Sequence, residues 1–368
     1  MKKHISFFAC IIFILLGFSG CSPLGIKVQT TGNDIQSGGT GGIYRSRDGG
    51  ANFEQASYVR TVNGVAQTIG YANIRFLISD PSDTRTVYAL TDDGSAWVSY
   101  AFGDTWNKIF SSSRRIEALV VAPSDRSRLY LAGGRSIMVS EDAGANWKRI
   151  YYDPGTETVI TSLAVDYTNP KVLYAGTATG AILQTRDGGE TWFVPVRLSY
   201  FGTSGRVHKL ITVPQNPSRL YAVVVDGLQL SGFIYISHDQ GNSWQKNSAL
   251  DSLVRSSKYG DFERDPRSGA LYYASLYGLF ISRDEGNIWE QVPLLTADHS
   301  SMIYSIAIDP QDRNHIIYAT TSTIVISQNQ GKEWKSLPLP SFGGRVARDI
   351  LISNDVSADV LIATGVGY

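Results

Sequence analysis

One eight-residue pattern recurs seven times in this chain of 368 residues and limits its fold more than any other feature. The copies begin at Ser46, Ser99, Ser140, Thr185, Ser237, Ser282 and Ser327, a mean spacing of about 47 residues, within the range of propeller repeats. Their consensus is Ser/Thr-x-Asp-x-Gly-x-x-Trp. The third position holds Asp48, Asp142, Asp187, Asp239, Asp284 and Asn329, and the eighth holds Trp106, Trp147, Trp192, Trp244, Trp289 and Trp334. Two copies are degenerate, with Ala101 in place of Asp and Phe53 in place of Trp.

A second signal precedes most copies: an apolar run ending near Asp-Pro, a turn, then a run ending in Tyr-Ala. Leu77 to Pro81 with Val87 to Ala89 is one such pair, and Ile306 to Pro310 with Ile317 to Ala319 is another. The first motif has no pair before it, and the last pair, Ile350 to Ser353 with Leu361 to Ala363, has no motif after it. The two ends therefore each hold half of one unit. Each unit reads as four strands with Gly- and Asp-rich turns between them. A lone four-stranded sheet cannot bury both faces, but sheets set radially about an axis can. Residues 41–368 number 328, room for seven units of about 47. The expected fold is all-β: a single seven-bladed β-propeller of four-stranded blades, closed by pairing of N- and C-terminal strands.

The repeated pattern resembles the Asp-box, or BNR repeat, of sialidases, sortilin-type receptor ectodomains, two-propeller xyloglucan hydrolases and photosystem II assembly factors. Within that family the Asp accepts backbone hydrogen bonds in a tight turn, the Gly supplies positive φ, and the Trp packs beneath. One carboxylate per turn cannot meet the six to eight oxygens that calcium requires, so no metal is expected there. The Asp-Pro and Tyr-Ala style of strand is closer to the sortilin and xyloglucan-hydrolase repeats than to the assembly factors.

The first 40 residues carry an address. Lys2 and Lys3 precede an uncharged run from Ile5 to Phe18, too short for a comfortable membrane span and suited to a signal-peptide core. Leu16 to Cys21 resembles a bacterial lipobox, with Phe18 standing where leucine is usual. That resemblance implies a lipoprotein signal peptide over 1–20, a lipidated Cys21 followed by a flexible tether to residue 40, and the propeller over 41–368. Localisation is then extracytoplasmic, with the membrane reached through the N-terminal lipid. The only other cysteine, Cys10, falls inside the signal, so no disulfide framework exists.

Charge and motif inventory narrow the function. Thirty-three basic and 33 acidic residues balance, which argues against a nucleic-acid partner. Five histidines (His4, His208, His238, His299, His315) are scattered, with no zinc-protease, nucleophile-elbow or phosphate-loop motif. No cofactor is expected. Sialidases carry an early Arg-Ile-Pro signature and six blades, which this sequence does not match. Xyloglucan hydrolases place one Asp from each of two propellers across a cleft, whereas one propeller is expected here.

The reading is a monomeric, non-catalytic binding or scaffold module for a protein or glycan. The alternatives are a cell-surface glycoside hydrolase and a lipoprotein like the photosystem II assembly factors. The ligand is expected where the inner strands begin, at one mouth of the axial channel. Counting back from the Pro-equivalent after each inner strand selects Arg75, Glu117, Thr161, His208, Gly260, Tyr304 and Asp349, with Arg115, Arg206, Lys258 and Arg348 nearby. Arg75, His208, Tyr304, Arg115 and Arg206 are the candidate ligand contacts, and Glu117 with Asp349 the pair to test in a hydrolase. The competing assignment is that these groups only solvate the mouth or pair as Arg–carboxylate bridges.

Overall fold

In a computed structural model the described residues run from 41 to 367, apart from 63–64, 156–157, 201–202, 228–229, 255–257, 298–299, 341 and 357. The signal-peptide, Cys21 and tether assignments lie outside them, as does His299. Seven four-stranded antiparallel sheets follow one another along the chain. Their inner strands are Ile74–Asp80, Ile116–Ala122, Ile160–Val165, Arg206–Thr212, Tyr259–Arg264, Ser305–Ile308 and Val346–Ile352, which define blades 1 to 7.

Blade 7 is built from both ends of the propeller. Its inner two strands, Val346–Ile352 and Val360–Gly365, are C-terminal; its outer two, Gly42–Ser46 and Glu54–Gln55, are N-terminal. Ile43 pairs with Ala363 and Arg45 with Leu361. The half-units legible in the sequence thus complete one sheet. This arrangement leaves no N- or C-terminal strand unpaired at the point of closure.

Blades are joined by apolar clusters that sit between neighbours. Tyr88, Leu90 and Val98 of blade 1 pack on Leu119, Leu129 and Leu131 of blade 2. The same arrangement recurs around the ring, ending with Ile43, Leu361 and Ala363 of blade 7 against Ile74, Val87 and Trp106 of blade 1. Each blade therefore buries both faces, which explains why the strands carry long apolar runs rather than strict alternation.

The repeated motif forms the turn between third and outer strands. In blade 2, Ser140 Oγ donates to Asp142 Oδ1 at 2.8 Å and accepts from Gly144 N at 2.8 Å, while Asp142 Oδ1 accepts from Asn146 N at 2.8 Å. Thr185, Asp187 and Gly189 repeat this in blade 3. Gly189 has φ +99°, and a Cβ there would lie 2.7 Å from Ile150 of blade 2, so both conformation and space demand glycine. The tryptophans reach further than expected. Trp147 Nε1 donates to Ile109 O at 3.0 Å and Trp192 Nε1 to Ile150 O at 3.3 Å, both on the preceding blade's outer strand. In blades 2 and 3 the indole thus fastens adjacent blades, whereas Trp244 and Trp289 donate to the glycine of their own turn.

Three elements depart from the plain repeat: hairpins Tyr58–Val62 with Val65–Thr68 and Ser199–Tyr200 with Thr203–Ser204, and the helix α1, Ser248–Val254. The helix buries Leu250 and Val254 between blades 4 and 5.

Because strands alternate in direction, the start of each inner strand and the turn after each second strand share one end of the ring. The repeated turns and the turns after the inner strands share the other.

Candidate functional site

At the first of these ends the inner strands do not pair regularly. In blade 1 the pairing jumps from Ile74 to Phe76, leaving Arg75 bulged. The same shift falls at Glu117, Thr161, His208 and Gly260. A bulge re-aims a side chain and ends regular pairing, which suits the rim of a channel. In blade 7 the bulged residue is Arg348, since Ala347 pairs with Thr364 and Asp349 with Ala363. The expected position of Asp349 in this ring is therefore one residue out. The turn Ser353-Asn354-Asp355 contains no proline, so the count lacked its anchor. Tyr304 immediately precedes its strand, its N–H donating to Ala319 O at 2.9 Å.

The bulges bring three arginines onto one carboxylate. Arg75 Nη1 donates to Glu117 Oε2 at 2.7 Å and Arg206 Nη2 to the same oxygen at 2.5 Å. Arg115 Nε lies 3.9 Å from Glu117 Oε1 and 3.7 Å from Asp92 Oδ1, and Arg348 Nη1 is 2.8 Å from Asp92 Oδ2. Arg75 is only 4% exposed and stacks 5.0 Å from the Phe76 ring, whereas Arg115 is half-exposed. Burial opposes ionisation of Glu117, but Arg75 and Arg206 outweigh it and hold the carboxyl below its usual range. His208 stands edge-on to Tyr259, 5.2 Å between ring centres. Burial, then the charges of Arg206, Lys209 and Arg75, lower its pKa to about 3, so the imidazole is neutral at physiological pH.

One step deeper lies a group that the sequence count missed. Lys209 Nζ is 3.2 Å from Asp261 Oδ1 and also pairs with Glu263. Asp349 belongs to this level. Its Oδ2 accepts from Leu77 N of blade 1 at 2.8 Å, and its Oδ1 from Ile350 N at 2.9 Å. Asp261 Oδ2 accepts likewise from Ile306 N of blade 6 at 3.2 Å. These carboxylates clasp the backbone of the next blade. Burial first, then the charge of Asp261, pushes the Asp349 pKa up to about 7, while burial raises that of Glu263 against the pull of Lys209.

Glu117 and Asp349 thus belong to two separate groups. A shift of one residue past each bulge would have found Lys209 and Asp261, because the bulge resets which side chains face the axis. Among the described residues no cluster of His, Cys, Asp and Glu could hold a metal ion.

The native Asp349 carboxyl keeps its proton to about pH 7, whereas the unfolded chain releases it near 3.8. The folded state therefore binds more protons across that window, and stability falls as pH rises through it. Asp349→Asn should flatten this fall in equilibrium unfolding followed between about pH 5 and about pH 8. An unchanged slope would mean that the carboxyl is ionised throughout.

No family model matches the chain. It is 27% identical over 198 residues to the oligoxyloglucan-reducing end-specific xyloglucanase of Emericella nidulans, covering 48% of this chain and 24% of that protein. It is 29% identical over 171 residues to the photosystem II assembly lipoprotein Ycf48 of Picosynechococcus, covering 45% and 46%. The chain thus spans between about a quarter and a half of the curated relatives it matches. Among solved structures, the GH74 xyloglucanase from Xanthomonas campestris aligns with TM-score 0.64 and 18% identity, over 80% of this chain and 51% of that one. YCF48 bound to D1 peptide aligns with TM-score 0.61 and 18% identity, over 81% and 93%. At these identities the structural likeness establishes the propeller fold alone.

Proposed function

We propose that this protein is a lipid-anchored, extracytoplasmic propeller that binds a protein or glycan partner at the arginine-rich mouth of its channel, as a monomer and without catalysis. The observation that carries this reading is the state of Glu117. Arg75 and Arg206 bond one of its oxygens and hold it ionised, with Arg115 close to the other, so it is poorly suited to donate a proton, and the surplus positive charge favours an anionic partner group. A solved Ycf48 structure holds a peptide, which supports a protein segment as the ligand class. The seven turns then serve as structural Asp-boxes, the five that carry an Asp spending its carboxylate on a backbone N–H group.

One observation favours the glycoside-hydrolase reading: a carboxyl raised to about 7, as at Asp349, suits a general acid. Its two oxygens are nevertheless committed to Leu77 and Ile350. Incubation with xyloglucan oligosaccharides should release no new reducing ends. Release that disappears in both Glu117→Gln and Asp349→Asn would establish the hydrolase instead.

Pull-down from envelope extracts should recover the same partner with the wild-type protein and lose it with Arg115→Ala/Arg206→Ala at an unchanged melting temperature. Recovery undiminished by that change would place binding elsewhere. For the anchor, Cys21→Ser should move the protein from the membrane fraction to the soluble one. A mature N-terminus other than an acylated Cys21, found by mass spectrometry, would refute lipidation.

A further inference from the structure

At the opposite end of the ring, where blade 7 meets blade 1, lies a charged cleft of about 180 Å³. Arg45, Arg47, Arg85, Asp104, Asp355 and Asp359 line it, together with Ala101 and the backbone turn around Phe102. Arg45 immediately precedes the first turn motif, where five other blades carry Val98, Val139, Ile236, Ile281 and Ile326. A charge has replaced an apolar side chain at a position that remains 92% buried, Arg45 being 8% exposed. Its Nη1 donates to Phe102 O at 3.2 Å and pairs with Asp104, and its Nη2 reaches Glu54 at 3.2 Å. Its Nε is buried without a partner. A guanidinium N–H left unsatisfied in this way is costly, and such groups are uncommon in folded proteins.

The second observation is the turn facing Arg45. Where the motif has its Asp, the carboxylate accepts both the Ser/Thr hydroxyl and the backbone N–H four residues on. Asp48 does so at 2.7 and 2.8 Å from Ser46 Oγ and Asn52 N. Blade 1 has Ala101 there. Ser99 Oγ still accepts from Gly103 N at 2.9 Å, so the turn keeps its shape, but residue 101 brings no carboxylate to it. Ala101 lines the cleft beside Arg45 and Arg85.

We infer that this cleft binds a small carboxylate ligand, whose anionic group takes the place that the motif's Asp holds in other blades, beside Arg45 and Arg85. Asp104, Asp355 and Asp359 on the same walls would repel a bare anion, so the ligand carries a hydrogen-bond donor next to its carboxylate. That description fits an α-amino or an α-hydroxy acid. A volume of about 180 Å³ leaves room for a ligand of this size. The site lies at the other end of the ring from the proposed partner surface and stands independently of it.

The test is a titration of the full protein with glycine, glycolate, acetate and ethanolamine, followed by the amide NMR signals of Phe102 and Gly103. Glycine or glycolate should shift them saturably at millimolar concentration, acetate more weakly and ethanolamine not at all. The tighter of the first two identifies the donor as ammonium or hydroxyl. Ala101→Asp, which restores the internal carboxylate, and Arg85→Ala should each weaken binding by about tenfold, the scale of one charge-assisted hydrogen bond. Arg85 is exposed, and Asp is the motif's own residue, so both variants should melt like the wild type. Absence of a saturable shift, acetate equal to the others, or unchanged affinity in Ala101→Asp would overturn the inference.

Discussion

Deletion of Arg345–Tyr368 should abolish cooperative unfolding altogether. The segment supplies both inner strands of blade 7, including Val346, Ile350, Ile352, Val360, Leu361 and Ile362, each at most 6% exposed. Burying a large aliphatic side chain is worth roughly 1.5–3 kcal/mol, so six of them match the ~5–15 kcal/mol total stability of a typical domain. The loss extends further, because Gly42–Ser46 would keep only Glu54–Gln55 as a partner and blade 6 would lose the Ile350 and Ile352 side of its cluster. Circular dichroism during thermal and urea unfolding decides the matter. A truncated chain that melts in one transition near the wild-type temperature would show that the ring does not depend on this closure.

Trp106→Ala should be the most damaging single substitution among the turn motifs. Trp106 is fully buried in the cluster joining blades 7 and 1, and its Nε1 donates to Ala56 O at 2.7 Å. Removing a buried aromatic costs roughly 3–5 kcal/mol through lost contacts and the cavity left behind. The change also orphans Ala56 O at the seam between the two chain ends. Trp192 is only partly buried, so Trp192→Ala should cost clearly less. Urea denaturation midpoints compared at equal m-value supply the measurement. Equal losses at the two sites would show that burial does not set the tryptophan contribution.

The repeat was legible in the sequence because its turn chemistry is local. A hydroxyl, a carboxylate and a positive-φ glycine at fixed spacing are all that Ser140, Asp142 and Gly144 need. Closure was legible for a related reason, since the half-units at the two ends are complementary. The channel mouth was legible in part. Counting from proline located Arg75, Glu117 and His208 but failed in blade 7, whose turn offers none. Lys209, Asp261 and Glu263 were missed because alternation along a strand does not survive a bulge. The helix α1 has seven residues and two buried side chains, too few for a helical period to appear. Nothing in the sequence marks Arg45 as buried, and only the packing of blade 7 on blade 1 reveals it.

The proposed function requires the mouth to be a recognition surface for anionic groups rather than a solvated rim. Its most direct test is calorimetric titration of an acidic peptide with a free C-terminal carboxylate into the wild-type protein and into Arg115→Ala/Arg206→Ala, each at low and high salt. Saturable binding that weakens at least about tenfold in the variant, and weakens with salt, is the predicted result. Binding that is equal in both proteins would contradict it, as would its absence from the wild type at either salt concentration.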